Sequence, residues 1–145
     1  MRTLLLLCLL ALTPALVAAD DDSYRAPEAI PDTTRVDADQ AWRLFRDGVT
    51  FVDVRLEADF RAARIPGAVN LTIMRDPEDP RNRFTRESLL EAAGDREAPL
   101  VIYCNDFDCW RTEAAIQRAL EWGFGDLHYF PGGYPEWSRR NYPFE

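Results

Sequence analysis

Four short apolar runs, at Thr50–Val54, Ala68–Leu71, Leu100–Tyr103 and Leu127–Phe130, alternate along the chain with segments of helical period. This alternation constrains the fold more than any other feature of the sequence. Asp37 and Gln40 form a capping-box-like start, Ala41, Trp42, Leu44 and Phe45 mark one helical face, and Gly48 ends it. A short helix is predicted around Glu57–Ala63, followed by the turn Ile65-Pro66-Gly67. Thr85 caps a helix carrying Leu89, Leu90, Ala92 and Ala93 that stops at Gly94, and Thr112–Trp122 reads as a further helix closed by Gly123. Short strands that alternate with helices need crossover connections, so the pattern predicts an α/β domain. Its core would be a central parallel sheet of four to five strands with helices on both faces. Ligands of such sheets bind beyond the carboxyl ends of the strands. Cys104 stands at one of those ends.

The first residues follow a different logic. Arg2, an apolar run from Leu4 to Leu12 and the small residues Val17-Ala18-Ala19 have the three parts of a secretory signal, with cleavage expected after Ala19. The run is broken by Pro14 and is shorter than the ~20 apolar residues a membrane span needs, so no stable membrane insertion is expected once the signal is removed. Removing 19 residues from 145 leaves 126, about one domain. Residues 20–35 are acidic, contain Pro27 and Pro31 and show no apolar period, which suits a tether or an extended lead-in ahead of a domain at 36–145. Loss of Arg2 takes the formal charge from −8 to −9, and a chain this acidic does not suit a nucleic-acid partner or an anionic membrane. The expected location is periplasmic or secreted, where the two remaining cysteines, Cys104 and Cys109, meet a disulfide-permissive compartment.

A cysteine at a strand end facing the first turn of a helix gains from unpaired amides and from the positive end of the helix dipole, both of which favour thiolate. Arg111, at the foot of the following helix, adds a fixed positive charge able to pair with an anionic group. The plainer alternative is that Cys104 is a small buried residue closing a strand.

Phe51-Val52-Asp53-Val54-Arg55, Phe60, Ile65-Pro66-Gly67-Ala68-Val69-Asn70, Val101-Ile102-Tyr103-Cys104 and Pro131-Gly132-Gly133-Tyr134-Pro135-Glu136-Trp137, in that order, resemble the motifs of rhodanese-like domains over about Val36 to Glu145. The resemblance implies the rhodanese α/β fold, with Cys104 as the residue that carries a persulfide. The loop departs from the usual form. Cys104-Asn105-Asp106-Phe107-Asp108-Cys109-Trp110-Arg111 has no glycine and is two residues longer, and it looks more like an exported subgroup with a Cys-x4-Cys-Trp loop. Asp106 stands where that subgroup has glycine, which positive φ at an aspartate would accommodate. Arg64 replaces the histidine that often precedes Ile-Pro-Gly-Ala. Asp106 and Asp108 set two negative charges against Arg111, which opposes both the thiolate and a dianionic donor such as thiosulfate, and favours a donor of lower charge.

Cys109 has two readings. It resolves a persulfide on Cys104, leaving a disulfide, or it is buried against the sheet. Asp53 and Arg55 are expected to brace the loop through hydrogen bonds rather than meet substrate. Trp42, Trp122 and Trp137 fit packing roles, while Trp110 fits a pocket wall. His128, on a strand, reads as a packed or surface residue. One histidine and two cysteines without a carboxylate at ligand spacing make a poor metal site, and no cofactor is called for.

Two functions of different class follow. One is a sulfurtransferase or persulfide carrier, moving sulfane sulfur from a small sulfur donor to a protein thiol or other acceptor. The other is a non-catalytic binding module of the same fold with Cys104 and Cys109 locked as a disulfide. A cysteine phosphatase is disfavoured, since six residues rather than five separate Cys104 from Arg111 and phosphate would meet both aspartates.

Overall fold

A computed structural model describes residues 24–145, so the expected signal and cleavage after Ala19 lie outside the described residues. The elements in chain order are β1 (Thr34–Arg35), α1 (Ala38–Arg46), β2 (Thr50–Asp53), α2 (Glu57–Ala62) and β3 (Val69–Asn70), then α3 (Arg86–Ala93), β4 (Leu100–Tyr103), α4 (Trp110–Glu121), β5 (Leu127–Phe130) and α5 (Gly133–Arg139). All five strands run parallel in the order β1-β5-β4-β2-β3. The expected α/β architecture is present.

Strand alternation sorts the core into two layers. Val52 and Val54 of the β2 segment, with Leu100, Ile102 and Cys104 along β4, share one cluster with Leu89 of α3 and Ala115, Ile116 and Ala119 of α4. The intervening Phe51, Val101 and Tyr103 join Ala38 and Ala41 of α1 and Trp137 of α5 on the other face. That second layer is largely aromatic: Trp42 stacks on Tyr142 at 4.8 Å and meets Trp137 edge-on at 5.7 Å. Trp137 also donates its indole N–H to the Pro143 carbonyl at 2.7 Å. Trp122 stacks on Phe84 at 5.5 Å on the opposite face.

The predicted capping box of α1 forms in full. The Asp37 carboxylate accepts from the Gln40 amide, and the Gln40 side chain returns to the Asp37 amide. Thr85 and Ser88 repeat the device at α3. Helix α4 starts at Trp110, two residues earlier than expected; Cys109 is its N-cap in extended geometry, and its side chain accepts no capping bond. Strand β1 and helix α5 have no counterpart in the sequence-based expectation. Thr34 and Arg35 are both exposed and give no alternation, while α5 opens on Gly133 and contains Pro135.

Residues 24–33, the described part ahead of β1 of the 20–35 stretch expected as a tether or extended lead-in, carry no helix or strand, turn at Asp32 and are docked on the domain. Ile30 is buried in the layer that holds Cys104, the Ala26 amide donates to the Phe107 carbonyl at 2.6 Å, and Tyr129 donates its hydroxyl to the Pro27 carbonyl at 3.3 Å. Tyr24 donates to Glu113 of α4 at 2.9 Å. Apolar burial of Ile30 and three tethering bonds supply the reason this polar segment stays on the domain. At the other end Glu145 exchanges two backbone bonds with Arg64, whose guanidinium also pairs with the Glu145 carboxylate at 2.9 Å.

Candidate functional site

Beyond the carboxyl end of β4 the chain turns through Asn105–Asp108 into α4. The Asp106 carboxylate accepts from the Asp108 amide at 3.0 Å and its carbonyl accepts from the Cys109 amide at 3.1 Å, which closes the turn. The positive φ expected at Asp106 is absent. The only non-glycine residues with positive φ among those described are Asp32 and Asn141. The side-chain bond replaces what a glycine would have supplied.

This turn brings Cys104 and Cys109 together as a disulfide with α-carbons 6.3 Å apart. Of the two open readings of Cys109, the disulfide one describes this structure, although Cys109 also packs into the core. Cys104 is 1% exposed and Cys109 8%. In this oxidised form Cys104 has no thiol to ionise, so the argument from the helix dipole applies to the reduced protein.

The other loop residues spread outward. Phe107 is exposed beneath the Arg35 guanidinium, 6.0 Å from its ring centre. Asp108 pairs with Arg25 at 3.2 Å on the outer surface, so one of the two aspartate charges expected to oppose the thiolate already has a counterion, though an exposed one of little strength. Trp110 is the first residue of α4 and is flanked by two guanidiniums, Arg75 at 4.4 Å and Arg111 at 4.9 Å. The Arg111 Nε donates to the Ile73 carbonyl at 3.2 Å. Its charge is therefore held across the end of β3 rather than directed at the sulfur by any bond. Burial lowers the Arg111 pKa, with Asp59 opposing and Arg75 and Arg81 reinforcing that shift.

Asp53 and Arg55 form a buried ion pair, 0% and 4% exposed at their side chains. Arg55 Nε donates to both carboxylate oxygens at 3.0 Å, and Nη2 donates to Asp53 at 2.6 Å and to the Ala63 carbonyl at 2.7 Å. The bracing expected of this pair reaches α2 and an aromatic wall rather than the loop amides. Arg55 lies 5.7 Å from the Tyr103 ring and 4.8 Å from that of Tyr134. Burial, with the Asp53 charge nearby, pushes the Tyr103 phenol well above its ordinary pKa. Tyr103 immediately precedes Cys104, and Tyr134 donates its amide to the Cys104 carbonyl at 3.1 Å. The pair thus supports the loop at one remove.

Gly133 completes the support. Its φ is +56°, and a β-carbon there would run into the Cys104 carbonyl and come within 2.9 Å of the Asn105 carbonyl oxygen. Gly133, Tyr134, Arg75 and residues 24–30 hold places at the site that the sequence pattern does not announce. The Gly-Gly pair was the one local signal, since adjacent glycines mark a close backbone approach. His128 sits beside Asp126 at 3.2 Å, away from the cysteine loop.

The frame thus comprises a parallel sheet, a cysteine at the end of its middle strand β4 and a glycine turn after β5 packed on that cysteine's carbonyl. The chain as a whole is similar to known proteins. Thiosulfate sulfurtransferase GlpE of Pseudomonas syringae pv. syringae (strain B728a) is 31% identical over 111 residues, covering 77% of this chain and 92% of that protein. The structure of BH2092 from Bacillus halodurans superposes with a TM-score of 0.63 at 19% identity, over 78% of this chain and 77% of that one. The rhodanese-like domain of Alr3790 from Anabaena sp. gives 0.57 at 20% identity, over 77% of each chain. The rhodanese-like domain family matches residues 37–140, which contain the sheet from β2 to β5, the cysteine loop and the glycine turn. The chain belongs to the rhodanese-like domain family.

Proposed function

We propose that the protein is a sulfurtransferase or persulfide carrier working through Cys104, with the Cys104–Cys109 disulfide as its oxidised resting form. The observation that carries this reading is the disulfide between the strand-end cysteine and the N-cap cysteine of α4. Two donor thiols reduce it and leave as their own disulfide. The Cys104 thiolate then attacks the outer sulfur of a donor such as thiosulfate, the S–S bond of the donor breaks, and sulfite departs with the electron pair. An acceptor thiol removes the sulfur from the Cys104 persulfide. In its absence the Cys109 thiolate attacks the Cys104 sulfur, hydrosulfide leaves, and the disulfide returns. The amides at the start of α4 favour thiolate at either sulfur in the reduced loop.

The Val17-Ala18-Ala19 signal pattern supports a site of action outside the cytoplasm, where a disulfide resting form persists. The relatives named as thiosulfate sulfurtransferases support the reaction class. The burial of both cysteines favours the second reading, a binding module locked by its disulfide.

Intact-mass analysis of the reduced protein after exposure to thiosulfate or a low-molecular-weight persulfide tests both. In Cys109→Ser, which has no thiol to resolve the persulfide, a gain of one sulfur is the expected result, and Cys104→Ser gains none. No gain in Cys109→Ser with any donor after verified reduction leaves the binding module.

A further inference from the structure

Tyr24, Arg25 and Ala26 are consecutive, and each is bonded to a residue close to Cys109 in the chain. The Tyr24 hydroxyl donates to the Glu113 carboxylate at 2.9 Å, the Arg25 guanidinium to that of Asp108 at 3.2 Å and the Ala26 amide to the Phe107 carbonyl at 2.6 Å. Phe107 and Asp108 are the two residues before Cys109, and Glu113 follows it by one turn of α4. The two segments therefore run in opposite directions, and the contacts of residues 24–26 fall on both sides of the N-cap cysteine.

The rest of the lead-in is a fixed root. Pro27 and Pro31 set φ at two positions, and Tyr129 donates its hydroxyl to the Pro27 carbonyl at 3.3 Å. Ile30 is buried in the layer that holds both cysteines, and its carbonyl accepts the Thr33 hydroxyl at 2.7 Å. The tip, residues 24–26, is held differently. Tyr24 and Ala26 are half-buried and Arg25 is exposed, so no side chain of the tip is enclosed. The Arg25–Asp108 pair lies open to water and contributes little. That leaves the Tyr24 and Ala26 bonds as its main fastenings. Burial and the Glu113 bond push the Tyr24 phenol well above its ordinary pKa, which keeps it a donor through neutral pH. A segment with so few enclosed apolar contacts opens at lower free energy than the domain unfolds.

The cysteine pair has its own need for such an opening. Cys104 is 1% exposed and Cys109 8%, yet a reducing thiol has to touch one of the two sulfurs. Cys109 is the less enclosed and the one flanked by the tip contacts. A thiolate bonds to the Cys109 sulfur, the S–S bond breaks, and Cys104 leaves as thiolate. The second thiol of a dithiol reductant attacks the mixed disulfide and Cys109 leaves as thiolate. The reductant departs as its own disulfide, and two electrons have entered the loop.

We propose that residues 24–26 are a latch on the cysteine pair. Closed on Phe107, Asp108 and Glu113 they keep thiols from the Cys109 sulfur, and release of the tip from its Ile30 root admits them. In the sulfur-transfer reading, on which this consequence alone rests, release of the latch precedes loading of Cys104.

The test is the rate at which dithiothreitol reduces the native, disulfide-bonded protein, followed by alkylation and intact mass. Tyr24→Phe, Arg25→Gln removes two fastenings and keeps the Ala26 amide as a probe. Loss of a bond to a carboxylate is worth about a factor of ten, so reduction and hydrogen exchange at Ala26 are both expected to speed up about tenfold. Thr85→Ala is the control. It removes the cap of α3 and lowers global stability by a comparable amount, but should leave the reduction rate within about twofold of the wild type. The wild-type rate should also stay nearly flat in dilute urea, because opening the tip exposes little surface. An unchanged reduction rate in the tip variant overturns the proposal. Equal acceleration by Thr85→Ala, or a rate that climbs in urea with the full slope of unfolding, overturns it too, since thiols then enter through global unfolding. No sulfur donor is present in any arm, so a failure here and a failure of sulfur loading are separate results.

Discussion

Replacing Arg55 with Met removes the cation that faces Asp53 while keeping much of the apolar volume of the stem. In the intact protein the Asp53 carboxylate receives the Arg55 backbone amide at 3.0 Å and guanidinium bonds at 3.0, 3.0 and 2.6 Å, with its side chain fully enclosed. After substitution the three guanidinium bonds are gone, and an ion is left in the interior without an opposite charge. Breaking such a pair from one side costs about 3 to 5 kcal/mol. A domain of this size has a total stability of roughly 6 to 18 kcal/mol, so the variant is expected to fold and to unfold in urea with a midpoint about 2 M lower. Asp53→Asn, Arg55→Met together remove both charges and should recover about 2 kcal/mol relative to additivity. The assay is equilibrium urea denaturation of the four proteins in the same oxidation state. An Arg55→Met loss below about 1 kcal/mol, or strictly additive single effects, would falsify the claim that this pair holds the exit of β2.

Reducing the disulfide opens a loop of only about six residues, so it should cost about 2 kcal/mol, read as the difference between denaturation curves with and without reductant. Gly133→Ala should cost about 2 kcal/mol or more and raise hydrogen exchange at the Tyr134 amide, since the new methyl displaces the Cys104 carbonyl; native exchange there would count against the close approach. Burial pushes the Tyr129 phenol up to about 12, above its ordinary 10, so the unfolded chain ionises first and stability falls as pH rises from about 10 to 12. Tyr129→Phe should flatten that alkaline limb in a stability-against-pH series. Asp106→Asn, Asp108→Asn should change thiosulfate loading by less than about twofold, because Asp108 already faces Arg25 at the surface; a fivefold gain at low salt would restore the stronger electrostatic reading.

The elements legible in the sequence were those whose cause is local. Asp37 with Gln40, Thr85 ahead of Leu89, and the runs ending at Asp53 and Tyr103 each declare themselves within a few residues. Thr34–Arg35 forms a strand only because β5 offers an open edge to it, a reason some ninety residues away in the chain. Helix α5 forms despite Gly133 and Pro135 because Trp137 is buried among Trp42, Phe45 and Phe51, a packing gain that outweighs poor propensity. At the site, the strand-end position of Cys104 was readable and its disulfide was one of two open readings. The Arg25, Ala26 and Gly133 contacts were not readable, since each joins the loop to a segment remote in sequence.

The docking of residues 24–35 on β5, α4 and the cysteine loop sets an order of assembly. Among the described residues strand β1 pairs only with β5, the last strand of the sheet to be synthesised, and Tyr24 and Ala26 need α4 and Phe107 in place before they have anything to hold. The segment that leaves the ribosome early is thus seated late, after nearly the whole described chain has been made. Contacts of such long sequence separation slow folding, and until they close, the outer edge of β5 stays open to strands of other molecules. Chains cut short before β5, or held in a pore while β5 is still inside, carry a full set of early strands and no place for the first of them.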